Sequence, residues 1–119
     1  MSGPADAAVG SAAWLEARSD AARAAGQVHA GPGWTIDVVV SGGPDGPLTY
    51  HVALEDGAPL AYRSGAAPGG ASATLEQTFA DANALDRGDG RLAVAYMRGE
   101  TKTKGATRPV YELLRLLAR

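Results

Sequence analysis

The chain has no cysteine, a single phenylalanine and a single isoleucine, and no apolar run near the ~18 residues that span a bilayer as a helix. Without cysteine there is no disulfide framework, thiolate nucleophile or cysteine metal site. The expected compartment is the cytoplasm, since Met1 to Gly10 lacks the basic segment and following apolar segment of a secretory signal. No sign of charge dominates: net charge is -2, with both signs spread along the chain. That gives no electrostatic footprint for nucleic acid, which shows as a basic patch or stripe. The Lys102, Lys104 and Arg108 cluster comes nearest and reads as an outward strand face plus a helix start.

Large apolar side chains are also scarce. Hydrophobic residues make up 45% of the chain, but 25 of them are alanine and 29 are Val, Ile, Leu, Met, Phe, Trp or Tyr. Such a composition suits tight helix packing or an interior left partly open, and a GC-rich coding bias gives the same Ala, Gly and Arg excess. At 119 residues the chain is expected to form one domain with one core.

The pattern of what is present sets out the elements. Met1 to Gly10 reads as a loose tail, which leaves 11–119 as the domain. Ser11 caps a helix to about Ala25, with Trp14, Ala17, Ala21 and Ala25 on one face and Gly26 as its stop. Trp34, Ile36, Val38 and Val40 alternate as a strand, and Leu48, Tyr50, Val52 and Leu54 as a second. Glu55-Asp56-Gly57-Ala58 is a hairpin signal leading to a third strand through Leu60 and Tyr62. After the loop Gly65 to Gly70, Ala71 to Glu76 reads as a fourth strand. Thr78 caps a helix with Asp81 three positions on, and Asp89 is a candidate cap for the next.

That next helix, Arg91 to Arg98, is apolar on most of its circumference and so calls for cover on more than one side. Glu100 to Lys104 forms a fifth strand, and Thr107 or Arg108 caps a terminal helix with Pro109 in its first turn. Val110, Leu113, Leu114 and Leu117 stand at i, i+3, i+4 and i+7 along it, an apolar stripe that must lie against something. Four strands in succession, then clustered helices, argue for an α+β fold: a mainly antiparallel five-stranded sheet with helices on one face.

No catalytic constellation stands out. His29 and His51 lack a neighbouring second ligand and read as packed or surface histidines. Ser64-Gly65 and Ser41-Gly42-Gly43 lack the strand-to-helix elbow of a nucleophilic serine. Asp86 to Gly90 lacks the spacing of a calcium loop and reads as an interhelical link. Neither an enzyme activity nor a metal or cofactor is expected.

The run Thr78-Phe79-Ala80-Asp81-Ala82, then Leu85, Gly88, Leu92, Ala95-Tyr96-Met97, Gly99, Lys102 and Gly105 before a leucine-rich helix, resembles the sterol carrier protein type 2 domain. Val52 to Gly57 and Ala71 to Leu75 are similar to its earlier elements, so the resemblance covers about Trp34 to Leu117. It implies a small bacterial lipid-binding domain with an apolar tunnel between sheet and helices. By that match, Phe79, Leu92, Tyr96 and Met97 form the tunnel wall, and Leu113 and Leu117 a movable cover. The implied partner is a hydrophobic small molecule such as a fatty acid, acyl-CoA or sterol-like lipid, with no stable membrane insertion. Tyr96 or His51 would orient the head group, and Met97 suits an adaptable wall. Thr101 and Thr103 depart from the family's apolar fifth strand and, facing inward, would make the tunnel more polar. The alternative is a filled-core accessory module that joins an enzyme or forms a homodimer.

Overall fold

The computed structural model describes residues 8–87 and 91–117. Its elements are α1 (Ala12–Ala25), β1 (Trp34–Ser41), β2 (Leu48–Leu54), β3 (Ala61–Ser64), β4 (Ala73–Thr78), α2 (Phe79–Asp86), α3 (Leu92–Met97), β5 (Lys102–Gly105) and α4 (Thr107–Leu117). The five strands form one sheet in the order β3-β2-β1-β4-β5. Only the central β1–β4 pair is parallel; the three others are antiparallel, as an α+β sheet requires.

Local chemistry accounts for most boundaries. Ser11 is extended at the head of α1, where its hydroxyl accepts from the Trp14 N–H at 3.2 Å. Gly26 ends α1 in the left-handed conformation that costs a side-chain-bearing residue most. Thr78 closes β4 and caps α2, its hydroxyl accepting from the Asp81 N–H at 3.1 Å. At Gly105, where β5 ends with φ of 90°, an added Cβ would stand 2.8 Å from the Ser72 carbonyl oxygen. Glycine is therefore required there for conformation and for space.

β1 alternates as expected: Ile36, Val38 and Val40 are buried toward the helices. β2 differs, because His51 and Ala53 on its opposite face are buried as well. The cause is the connection from β3 to β4, which must pass β2 and β1, about 14 Å at the usual strand spacing. Residues 65–72 make that crossing on the face away from the helices. Asp37 of β1 accepts from the Ala67 N–H at 2.8 Å, and His51 Nδ1 of β2 lies 2.9 Å from the Gly65 carbonyl oxygen. Ala67 is buried as a result.

Two helical faces are rotated from their expected positions. In α1 the buried residues are Trp14, Leu15 and Ser19, while Ala21 and Ala25 are exposed. Short alanine methyls carry too little surface to set the face against Trp14 and Leu15. In α4, Pro109, Val110, Leu113 and Leu116 are buried, and Leu117 is displaced to the margin. Of the stretch expected as a tail, residues 1–7 lie outside the described residues and Val9 is buried in the core. The expected cap Asp89 also lies outside them.

Candidate functional site

A cavity of about 330 Å³ separates the inner face of the sheet from all four helices. The sheet contributes Val38, Tyr50, Val52, Tyr62 and Leu75, and the helices contribute mainly Trp14, Leu85, Leu92, Leu113 and Leu117. The volume lies at the lower end of the roughly 300–1,000 Å³ range of small-molecule sites. A second hollow of about 310 Å³ runs beneath the end of α1 and shares Arg18, Tyr62 and Leu117 with the first.

The α1 end of the cavity is the most ordered part chemically. Trp14 packs edge-on against Tyr50 and Tyr62, with ring centroids 5.2 and 5.9 Å away. Its indole N–H donates to Asp86 Oδ1 at 3.0 Å, and Arg18 Nη1 donates to the same oxygen at 3.2 Å. The end of α2 is thereby tied to α1 across the cavity. Burial, helped by their mutual repulsion, raises the Tyr50 pKa, and burial raises that of Tyr62, so both phenols stay neutral donors in the physiological range. The cations among the lining residues are Arg18 and Arg91, beside the amide of Gln77, and no carboxylate is in that lining.

The α4 side is fixed by a different group. His29, in the loop before β1, is 1% exposed. Its Nδ1 lies 2.8 Å from Glu112 Oε2 of α4 and its Nε2 lies 2.6 Å from the Pro32 carbonyl oxygen. Both partners are acceptors, so both ring nitrogens donate, which is the imidazolium form. Burial pulls the His29 pKa down, but hydrogen bonds to Glu112 and Pro32 and the charges of Glu112 and Asp56 outweigh it, and the net displacement is upward from 6.5. The Arg115 hydrogen bonds at 2.7 and 2.8 Å hold the Glu112 carboxyl at about 2, with burial opposing and His29 assisting.

Of the six residues expected to form the site, Leu92, Leu113 and Leu117 line the cavity. The other three fall elsewhere. Phe79 is half-buried and packs over the β1–β2 turn, where a Cβ on Gly43 would stand 3.3 Å from its ring. Tyr96 is half-buried outside the lining, and Met97 is 83% exposed. A six-residue helix turned with Leu92 and Ala93 inward must point Val94 and Met97 outward. His51 serves the opposite face of the sheet and does not reach the cavity. Thr101 and Thr103 are absent from the lining too; Thr103 is half-buried opposite Leu75, and Thr101 is buried outside the lining.

The sequence reading missed the contact of Trp14 and Arg18 with Asp86, 72 and 68 positions further along the chain, and the inward aromatic pair Tyr50 and Tyr62 as cavity lining. An available signal was an arginine one turn from a tryptophan on a helix whose expected apolar face otherwise held only alanines. Among the described residues no group of acidic or histidine side chains is disposed to hold a metal, and no helix is long and apolar enough to cross a membrane.

No protein-family model matches the chain, and no curated protein does. Solved structures do. Palmitated sterol carrier protein 2-like 2 from Aedes aegypti, determined by solution NMR, is 15% identical over 89% of each chain with a TM-score of 0.68. A conserved hypothetical protein of Thermus thermophilus, described as possibly a sterol carrier protein, is 21% identical over 92% of this chain and 87% of its own, with a TM-score of 0.57. A stereoselective inverting sec-alkylsulfatase of a Pseudomonas species is 22% identical with a TM-score of 0.51, but the match spans only 13% of that enzyme. The five-stranded sheet with helices gathered over one face is the sterol carrier protein 2 fold.

Proposed function

We propose that the protein is a non-catalytic carrier for a single-chain amphiphile with an anionic end, of the fatty acid or acyl-CoA class. One observation carries the proposal: an apolar cavity between sheet and helices whose charged lining residues, Arg18 and Arg91, are both cationic. Removing an alkyl chain from water supplies the drive, at about 25 cal/mol per Å² of apolar surface. Arg18 supplies direction, because only one of its five N–H donors is engaged with Asp86 in the contact that holds it. Leu92, Leu113 and Leu117 are the site's chain-contacting residues on the cover side. The palmitated Aedes aegypti protein, with the same fold, supports a fatty acyl ligand.

The segment of the sulfatase with this fold favours a second reading, an accessory module that serves an enzyme or a second copy of the chain. Native mass spectrometry with extraction of any co-purifying molecule separates the two. Under the carrier reading, an acyl-chain mass is recovered or appears on incubation with palmitate, and Leu92→Trp, which fills the cavity, lowers its occupancy at least about tenfold with the fold retained. A mass unchanged by fatty acids, acyl-CoA and sterols overturns the carrier reading in favour of the accessory one.

A further inference from the structure

Helix α3 is two-sided in a way its carrier role does not explain. Leu92 and Ala93 face the cavity and Ala95 is buried, but Val94 is 42% and Met97 83% exposed, one turn apart on the outer side. Among the described residues, the full cover expected for this apolar helix is missing. The charge around it is also unlike the rest of the chain. Residues 91–119 hold seven of the eleven Lys and Arg residues and only two of the thirteen Asp and Glu residues, so the even spread inferred from net charge does not hold by segment. Lys104 is paired with Glu76 and Arg115 with Glu112. Arg98, just past α3, and Lys102, at the start of β5, are exposed and in no ion pair among the described residues; the opposing charges are Glu100 between them and Glu76, which stands across from Lys102 on β4 and is engaged by Lys104.

An exposed methionine and valine beside exposed cations match the chemistry of a bilayer interface, where apolar side chains enter the acyl boundary and Lys or Arg meets phosphates. A nucleic-acid duplex offers the cations a partner but gives the exposed Met97 and Val94 no apolar seat. We propose that the outer face of α3 and the start of β5 form a docking surface for an anionic lipid bilayer, with Met97 and Val94 entering the interfacial layer and Arg98 and Lys102 on the headgroup phosphates. Docking there sets the outer face of α3 on the membrane, one helix width from the cavity that its inner face lines. This goes beyond ligand binding and does not require an occupied cavity.

Flotation of the full chain with vesicles tests it, using phosphatidylcholine alone and an equimolar mixture with phosphatidylglycerol. Each cation near an anionic surface is worth about fivefold in partitioning. Binding to the mixed vesicles should therefore exceed binding to neutral ones by about tenfold or more, and the excess should vanish near 1 M salt, where the screening length is ~3 Å. Arg98→Glu with Lys102→Glu should remove the preference, and Met97→Glu should weaken binding to the mixed vesicles. Arg23→Glu with Arg63→Glu, the same charge change on α1 and β3, should leave it within about twofold, and circular dichroism should show all variants folded. Equal binding to both vesicle types, an equal loss in the Arg23 and Arg63 variant, or tighter binding to a mixed-sequence DNA duplex overturns the proposal.

Discussion

Helices α1 and α3 flank the same cavity and are held in opposite ways. α1 runs for 14 residues between a serine cap and a left-handed glycine, and buries Trp14, Leu15 and Ser19. The Ser19 hydroxyl accepts from the Tyr62 N–H at 2.8 Å and lies 3.3 Å from the Tyr62 carbonyl oxygen, so it completes the hydrogen bonding of edge strand β3. α3 has six residues, an N-cap without a side-chain hydrogen bond and one buried residue, Ala95. The Ala95 carbonyl receives the Glu100 N–H at 2.9 Å and the Thr101 N–H at 3.3 Å, which anchors its end to β5. The cavity thus has a fixed wall on one side and a lightly held cover on the other. Local opening draws on elements with few buried contacts, so ligand exchange is expected past α3.

The largest effect should come from loosening the fixed wall. Trp14→Ala removes the ring that packs on Tyr50 and Tyr62 and frees Asp86 from one of its two donors. A loss of about 3–5 kcal/mol is expected from the cavity left behind. Val94→Ala on the cover should stay within about 0.5 kcal/mol. Urea unfolding checks both. Similar losses at the two positions would show that α3 is packed as firmly as α1, and would break the contrast.

α4 stands between these extremes because a titratable pair holds it. Facing His29 are Glu112, with Arg115 behind it, from α4, Asp56 from the β2–β3 turn, and the Pro32 carbonyl. The folded His29 pKa is raised, so its stabilisation is fully present below the unfolded value of 6.5 and is lost as pH rises through the folded value. Glu112 is lowered to about 2, so its share is present above 4.5 and is lost as pH falls toward 2. Docking of α4 should therefore be firmest between 4.5 and 6.5. Amide protection factors in α4, taken relative to the intrinsic exchange rate at each pH, should fall above that window, while those in α1, joined to β3 through a serine hydroxyl and backbone groups, change little. His29→Gln should cost on the order of 1–3 kcal/mol near pH 6 and flatten the alkaline limb. α4 protection factors independent of pH in the wild-type chain would remove His29 from this role.

The sequence made local features legible and long-range ones obscure. Ser11 and Thr78 act on groups three residues away, and the alternation of β1 follows from the pleat. These need no knowledge of the rest of the fold. The parallel placement of β4 beside β1 and the Asp86 and Glu112 contacts join positions far apart in the chain, with His29 and Glu112 83 residues apart. Nothing in the periodicity of either segment encodes them. The candidate site divides along the same line. Leu92, Leu113 and Leu117 follow from amphipathic patterns, whereas the outward turn of Met97 depends on how α3 is anchored by its single buried residue. The Leu116 burial was missed for a related reason: four leucines within five residues leave the helix rotation undecided until the sheet is in place.

A small effect is expected at the joint between α3 and β5, and its sign is the informative part. Thr101 is 1% exposed, and its Oγ1 has no hydrogen-bond partner among the described residues. A buried hydroxyl left unpaired carries its desolvation cost without return, so Thr101→Val, which keeps the shape, removes a penalty and breaks no bond. The variant should be unchanged or more stable by up to about 1 kcal/mol, seen as a higher urea midpoint at constant slope. Its cover should also open less often, with slower exchange of a bound fatty acid. A lower midpoint would mean that the hydroxyl is paired in solution, and that the joint is held by a polar contact as α1 is by Ser19. The cover would then be fastened at its β5 end, and ligand exchange would have to proceed from the Arg91 end of α3.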